Sequence, residues 1–132
     1  MSESVFSKII RGEIPCHKVY EDDKTFAFLD IHPKTDCHVL VVPKVQVDEF
    51  QDLADEDYTA LMQAVKKVAN RLKEVYPDKR VGLQVFGIDV PHVHIHVFPF
   101  GSAAEYRKPQ NMAAEPDHTR LAEVAKKLRF SN

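Results

Sequence analysis

The chain has little of the features that assign many proteins to a class at sight. Among its 132 residues there are only two cysteines, Cys16 and Cys37, and each stands alone. Isolated cysteines in a chain whose start, Met1–Ser4, is polar and lacks an apolar signal core are expected to be reduced thiols in a cytoplasmic protein. No run of about 18 apolar residues occurs, so no membrane span is expected.

The chain also lacks an excess of charge of one sign. Lysine and arginine number 18 against 20 aspartates and glutamates, which gives a formal net charge of −2. This balance provides no basic surface for a polyanion, so it argues against nucleic acid as the main partner but not against a single nucleotide. The length fits one domain, 1–132, with an ordinary hydrophobic core.

The apolar pattern predicts an α+β fold. A long helix begins at Asp55, which we expect to act as its cap, and ends before Pro77, with apolar side chains at a period of 3.6. Residues 101–116 are expected to be a long polar loop, followed by a C-terminal helix. The other predicted helices cover residues 5–11 and 119–128, with one helical turn near Phe50, and the predicted strands cover 18–21, 25–30, 38–43, 81–86 and 92–98. We expect an antiparallel sheet of about five strands with the long helix on one face.

The most informative stretch is residues 92–99, which read His-Val-His-Ile-His-Val-Phe-Pro. Its β-branched and aromatic residues predict a strand. Side chains alternate between the faces of a strand, so His92, His94 and His96 share one face and the aliphatic residues between them face the core.

Three interpretations of this histidine face are open. An imidazole can act as a nucleophile, helped by neighbouring donors. Histidines two apart on a strand can offer two ligands to one metal ion. The third interpretation is a solvated strand face. Each imidazole has a polar tip that needs a partner and titrates near neutral pH, so three in strict alternation favour chemistry.

Residues 92–98 resemble the signature of the histidine-triad (HIT) superfamily of nucleotide hydrolases and transferases. Further blocks resemble that family in the same order: Val5–Pro15 its opening helix and turn, Phe26–Pro33 its nucleoside-binding strand, and His38–Lys44 the next strand. The resemblance runs from about residue 5 to residue 100. In size the chain is similar to the small Hint branch, the purine nucleoside phosphoramidases.

The resemblance implies a hydrolase of purine nucleoside 5′-phosphoramidates that uses no cofactor and no metal. His94 would attack the α-phosphorus, form a covalent nucleotidyl-histidine, and be released by water. The attack requires Nε2, so Nδ1–H must be held by an acceptor such as a backbone carbonyl. His96 would donate to the phosphate or the leaving group, His92 would orient the other two, and His38 matches a position that supports the nucleophile.

The resemblance also implies a nucleoside site. Asp30 stands where the family binds both ribose hydroxyls. The loop histidines His17, His32 and His118 are interpreted as surface residues. Five apolar residues occupy positions that resemble the base slot: Val5, Phe6, Ile9, Phe28 and Ile31.

Two departures from the family concern the metal and the phosphate. Many bacterial relatives bind a structural zinc through two cysteines and two histidines, and here Ser4, Ser7 and Gln46 replace three of these ligands, so no structural zinc is expected. In the loop before the triad, Asp89 stands where relatives carry a hydroxyl, and an inward carboxylate would repel phosphate. The preceding strand lacks the family's asparagine, and Gln84 is its only amide.

The resemblance further implies a homodimer with a shared ten-stranded sheet, which composition does not establish. Three alternative functions stay open at this point. The same mechanism serves dinucleoside polyphosphate hydrolysis. The altered loop favours a nucleotide-binding or interaction protein with little turnover. A metalloprotein using the histidine row would have Asp89 as its only nearby acidic ligand.

Overall fold

The structure is a computed structural model that describes residues 2–130. Its centre is a five-stranded antiparallel sheet with the strand order β1-β2-β3-β5-β4. The strands are β1 (Lys18–Glu21), β2 (Thr25–Leu29), β3 (Val39–Pro43), β4 (Arg80–Gln84) and β5 (Ile95–Phe100). The α+β prediction is therefore confirmed: β1 has the predicted bounds, and the other strand boundaries are displaced by up to three residues.

Four α-helices surround the sheet. They are α1 (Val5–Ile10), α2 (Asp55–Val75), α3 (Ala103–Arg107) and α4 (His118–Leu128), and a single 3-10 turn covers Phe50–Asp52. The long helix α2 packs on β3 and β5 and also contacts α4. Within residues 2–130, no helix combines the length and the apolar character needed to cross a membrane.

The two faces of the sheet bury different side chains. One face packs against α2 and α4 and holds the larger core cluster, which includes Val93, Ile95 and Val97. The other face holds a smaller cluster built around Phe6 of α1 and Phe28 of β2. The predicted alternation is thus observed, because the aliphatic residues of the histidine stretch face the main core.

The strand predicted for residues 92–98 begins later than the pattern indicates. Strand β5 starts at Ile95, which pairs with Val41, and it continues to Phe100. Two residues further along the ladder, Val93 would lie opposite Pro43, which has no N–H to donate. The Val93 N–H instead donates to the carbonyl of Val47 at 2.7 Å, so His92 and His94 lie in the segment that leads into the strand.

Two helix predictions also need correction. Residue Ala54, not Asp55, is the N-cap of α2, and no side chain caps the helix; Asp55 lies inside its acidic first turn. The predicted loop 101–116 contains α3, whose N-cap Ser102 accepts a hydrogen bond from the Glu105 N–H. Ser-x-x-Glu is the sequence signature of a helix start, but the five residues that follow are too few to show a helical period.

Candidate active site

The three predicted histidines are buried side by side on the face of the sheet that carries α1. Relative exposures are 0% for His92, 5% for His94 and 8% for His96. The ring of Phe6 packs edge-on against both His92 and His94, with centroids 5.8 Å and 5.0 Å apart. The helix α1 therefore closes one end of the histidine row.

His94 has a defined tautomer because one of its nitrogens faces a carbonyl. Its Nδ1 lies 2.8 Å from the backbone oxygen of His92. A carbonyl only accepts hydrogen bonds, so Nδ1 carries the proton and Nε2 keeps its lone pair. This is the backbone contact that nucleophilic attack by Nε2 requires.

His92 uses both ring nitrogens inside the protein. Its Nε2 donates to the carbonyl of Pro43 at 2.7 Å, and this leaves Nδ1 to accept from the Ser4 hydroxyl, also at 2.7 Å. Ser4 is the N-cap of α1 and accepts from the N–H of Ser7. Ser4 N–H and Ser7 Oγ both donate to the amide oxygen of Gln46.

The three residues that replace zinc ligands in the resemblance thus meet at one point with His92. They form a closed set of hydrogen bonds that fastens α1 to the start of the histidine row. Hydroxyl and amide groups are poor zinc ligands, so the absence of structural zinc stays a prediction with a physical reason.

His96 has the opposite arrangement from His94. The backbone N–H of Lys34 donates to Nδ1 of His38 at 3.0 Å, so the neutral His38 ring carries its proton on Nε2. That Nε2–H donates to Nδ1 of His96 at 2.8 Å. The proton of the neutral His96 ring is therefore on Nε2. One face of the site presents the lone pair of His94 and the N–H of His96.

Burial favours the neutral form of His38, His92 and His96. It lowers the pKa of His38 to about 3, and His96 and Lys34 act in the same direction. It lowers the pKa of His96 to about 4, with His94 and Lys34 adding to the effect and Asp89 opposing it. The pKa of His92 is lowered as well, again mainly by burial. Neutral imidazole is the form that attacks phosphorus and that fixes the tautomers described above.

Asp30 follows the end of β2 and turns into the same cluster. One carboxylate oxygen accepts from the His32 N–H at 2.8 Å, and the other accepts from the Gln110 side chain at 2.7 Å. Burial raises the pKa of Asp30, and these two hydrogen bonds oppose the rise. Its second oxygen lies 3.9 Å from Nε2 of His38 and 4.0 Å from Nδ1 of His96. Because both rings are neutral, these distances are polar contacts between the carboxylate and the imidazoles and not ion pairs.

Among residues 2–130, the same three side chains could together offer ligand atoms to a metal ion. Donor atoms of Asp30, His38 and His96 lie within 4.8 Å of one another. However, Nε2 of His38 and Nδ1 of His96 already share one hydrogen bond. A metal ion would have to displace that proton, so the arrangement fits a hydrogen-bonded relay better than a preformed metal site.

An apolar cavity of about 360 Å³ opens onto this cluster, and we name it the nucleoside cavity. It is lined by Asp30, His94 and His96, and therefore adjoins the lone pair and the N–H described above. All five predicted base-slot residues line it: Val5, Phe6, Ile9, Phe28 and Ile31. Of the predicted catalytic residues, His92 and His38 do not line this cavity. His38 hydrogen-bonds to His96, and the carbonyl of His92 accepts from His94.

Several residues of the site were not recognised from the sequence. Lys34 contacts His38, and Gln110 reaches Asp30 from 80 residues further along the chain; no local pattern indicates either contact. His32, predicted to be a surface residue, is half-buried: its Nδ1 has no partner among residues 2–130, and its side chain lines the nucleoside cavity. His17 stacks on His118 and donates or accepts one hydrogen bond with it, away from this cluster.

The two residues noted as departures have definite places. Asp89 lines the nucleoside cavity together with His96. The amide oxygen of Gln84 accepts a hydrogen bond from the Lys34 ammonium at 3.2 Å, so this amide is held by a cation beside the site.

Comparison with known proteins gives one consistent result. Residues 11–102 match the HIT domain family. An uncharacterized HIT-like protein of Methanocaldococcus jannaschii is 40% identical over 99 residues, which cover 72% of this chain and 77% of that protein. An adenosine 5′-monophosphoramidase of Schizosaccharomyces pombe is 38% identical over 99 residues, covering 72% of each chain.

Solved structures agree with the sequence comparison. The crystal structure of a Hit-like protein from Bartonella henselae superposes with a TM-score of 0.79 at 31% identity, covering 96% of this chain and 95% of that one. The histidine row, the sheet that carries it and these similarities lead to one conclusion: the chain belongs to the HIT domain family.

Proposed function

We propose that this protein is a nucleotide hydrolase that attacks the α-phosphate of purine nucleoside 5′-phosphoramidates through His94. Family membership and the phosphoramidase of S. pombe support hydrolase activity on nucleotides. The observation that carries the proposal is the pair of opposite tautomers at one cavity. The His94 Nε2 lone pair and the His96 Nε2–H are the nucleophile and the donor that such a displacement needs.

The reaction follows from this geometry in two steps. His94 Nε2 forms a bond to phosphorus, and the P–N bond breaks with its electron pair going to the leaving nitrogen. That nitrogen takes up a proton from Nε2 of His96, which has gained a proton from solvent as the anionic phosphate binds beside it and now returns to its neutral form. Water then attacks phosphorus, the bond to His94 breaks, and a proton from the water returns to His96. The products are the free amine and the nucleoside monophosphate.

The nucleoside would lie in the cavity named for it. The base would contact the apolar side chains, with Phe6 and Phe28 packed at 5.5 Å between centroids. The ribose hydroxyls would donate to Asp30, whose carboxylate oxygens now accept from His32 and Gln110. Because Gln110 is held by this one side-chain contact and by the His32 carbonyl, the ribose would displace or share it.

A binding assay with adenosine monophosphate tests this placement. Asp30→Ala leaves the ribose hydroxyls without their charged acceptor, so we expect affinity to fall by about 1.5–3 kcal/mol. Isothermal titration calorimetry measures the loss, and Asp23→Ala, an exposed aspartate in the β1–β2 turn, is the matched control. Equal affinities of the two variants would reject the ribose assignment.

A second candidate function is a nucleotide-binding protein with little turnover. It is favoured by Asp89, whose carboxylate lines the cavity at the place where phosphate would lie. Chromatography of an adenosine 5′-phosphoramidate incubated with the protein separates the candidates. Release of adenosine monophosphate supports the hydrolase, whereas saturable binding without release supports the binding protein.

We also propose a cytoplasmic homodimer. Strand β4 is an edge of the sheet, and unpaired edges that carry apolar side chains favour strand pairing with another copy. Leu83, Val85, Phe86 and Ile88 are exposed at this edge and in the residues after it. Cys16 and Cys37 are free thiols, which suits a reducing compartment. Light scattering that gives the mass of one chain would reject the dimer.

A further inference from the structure

A second cavity lies on the other side of His96, between β4 and α3. Leu83, Val85 and Phe86 line it and also belong to the edge assigned above to the homodimer, so in that dimer the cavity would open beside the seam between the two copies. The second cavity has a volume of about 640 Å³, and we name it the basic cavity. It shares four lining residues with the nucleoside cavity: Asp89, His96, Gln110 and Met112. The two cavities are therefore continuous at His96, the side chain that presents its N–H to the reacting phosphate.

The charges of the two cavities differ. Among the residues of the described chain that line the nucleoside cavity, the acidic side chains are Asp30 and Asp89, and there is no lysine or arginine. The basic cavity is lined by three cations, Lys34, Arg107 and Lys108, and its only carboxylate within residues 2–130 is the shared Asp89. The positive charge is thus confined to one side of His96.

The Lys34 cation is held in place. Its side chain is nearly buried, at 9% exposure, and its ammonium donates to the Tyr106 carbonyl at 2.7 Å and to Gln84 at 3.2 Å. The ammonium also lies 4.9 Å from the centre of the Phe98 ring. Because these contacts already order the Lys34 side chain, an anion that binds in the cavity would meet a fixed positive charge and would cost little further side-chain entropy.

The other two cations are carried by α3. Tyr106 anchors this helix by donating from its hydroxyl to the Leu83 carbonyl at 3.0 Å, and its ring packs on Phe98 and Phe100. Gly82 permits this contact, because a Cβ there would lie 2.7 Å from the Tyr106 ring. Arg107 and Lys108 follow directly and are exposed, so they are free to contact a ligand in the cavity.

The position of the basic cavity beside His96 indicates which part of a substrate would occupy it. When the nucleoside fills its own cavity and His94 attacks phosphorus, the departing group leaves on the side of the donor, His96. From the charge and place of this cavity, and building on the proposed function, we propose that it receives the leaving group. Lys34, Arg107 and Lys108 select substrates whose leaving group is anionic.

Two leaving groups share this chemistry, an amine that carries a carboxylate and a nucleoside polyphosphate. In the first case a P–N bond breaks and the amine takes a proton from His96. In the second a P–O bond breaks and the polyphosphate leaves as the anion, with His96 donating a hydrogen bond. In both, His94 forms the same bond to phosphorus and water regenerates it.

The test compares matched substrates. Adenosine 5′-phosphoramidates of β-alanine and of β-alanine amide have leaving groups of the same size that differ in charge. The carboxylate would interact with two exposed cations and one buried cation, and each interaction is in the range of an ion pair at a surface. We therefore expect kcat/KM to be roughly 5- to 30-fold higher for the substrate with the carboxylate. The preference should fall as salt is raised from 0.05 to about 0.5 M. Diadenosine triphosphate, as a third substrate, shows whether a phosphate anion is preferred as well.

Charge removal at the cavity isolates the cause. In the double variant Arg107→Gln, Lys108→Gln, we expect the ratio of the two kcat/KM values to fall by at least about 3-fold. The control Lys126→Gln, Lys127→Gln removes the same charge from α4, outside the lining of both cavities, and should keep the parent ratio.

The outcomes separate this proposal from the proposed function. Turnover of both phosphoramidates at equal kcat/KM, or a ratio that the Arg107 and Lys108 changes leave intact, overturns the basic leaving-group site while the hydrolase stands. Turnover of none of the three substrates overturns the hydrolase and the leaving-group site together.

Discussion

His92 and His96 flank the same residue, share one face, and have opposite surroundings. His92 is fully buried, and both of its nitrogens are bonded inside the protein, to Ser4 and to Pro43. In His96, Nδ1 accepts a hydrogen bond from His38, and the ring lines both cavities. Identical side chains at equal distance along the chain therefore have different surroundings, because their hydrogen-bond partners differ.

The difference shows what a row of alternating histidines can do. The His92 side is closed by α1 and holds the His94 ring through a backbone carbonyl. The His96 side adjoins both cavities, and under the proposed function it would give a proton to the leaving group. We therefore expect one side to contribute mainly to stability and the other mainly to rate, and substitution tests this division.

Of the changes at the two flanking histidines, His96→Ala has the larger expected effect, and it is on rate. Loss of one donor aimed at the developing charge typically lowers kcat by roughly 10²–10³-fold. Phosphoramidate turnover measures the loss, and His118→Ala, at the exposed start of α4, is the control and should stay within about 2-fold of the parent. A kcat for His96→Ala close to that of the control would break the comparison.

His92→Ala should instead act on stability. The change removes a fully buried ring and leaves the Ser4 hydroxyl and the Pro43 carbonyl without their partner, so we expect the free energy of unfolding to fall by about 2–4 kcal/mol. Urea denaturation measures it. If His92→Ala were as stable as the parent and lost more rate than His96→Ala, the roles assigned to the two sides would be reversed.

The smallest expected effect is on the pH dependence of stability, and it sharpens the comparison on the His96 side. The pKa of His38 is lowered to about 3 and that of His96 to about 4, against roughly 6.5 in an unfolded chain. Between about pH 6.5 and 4 the unfolded chain binds more protons than the folded one, so stability is lost as pH falls. The raised pKa of Asp30 opposes this loss in part.

Urea denaturation at pH 7 and pH 5 measures this loss, and His38→Gln should reduce it because one buried imidazole is removed. Stability of the parent that stays constant or increases toward pH 5 would contradict the burial of neutral rings.

The comparison also shows how far the sequence alone leads. Strict alternation predicted which face each histidine occupies, since this depends only on the geometry of an extended chain. It did not predict the start of β5, because that depends on the missing N–H of Pro43 in a neighbouring strand. Nor did it distinguish His92 from His96, whose partners come from residues that are distant in the sequence.

The resemblance extended the prediction to the cavity, and its limits are also physical. The five apolar positions and Asp30 line one cavity, as expected from motifs that follow the strands. Gln110, Arg107 and Lys108 come from the segment between β5 and α4, where polar composition gives no periodic signal. Their contacts depend on how α3 packs against the sheet, which no local pattern determines.

The central claim is that His94 is the nucleophile, and trapping the covalent intermediate tests it most directly. The protein is mixed with an adenosine 5′-phosphoramidate, quenched during turnover, digested at a pH that preserves phosphorus–nitrogen bonds, and examined by mass spectrometry. We predict one adenylyl group on the peptide that contains residues 92–96, located on His94, and no label in His94→Ala. Turnover without a trapped adenylyl group, or a labelled and active His94→Ala, would contradict the account.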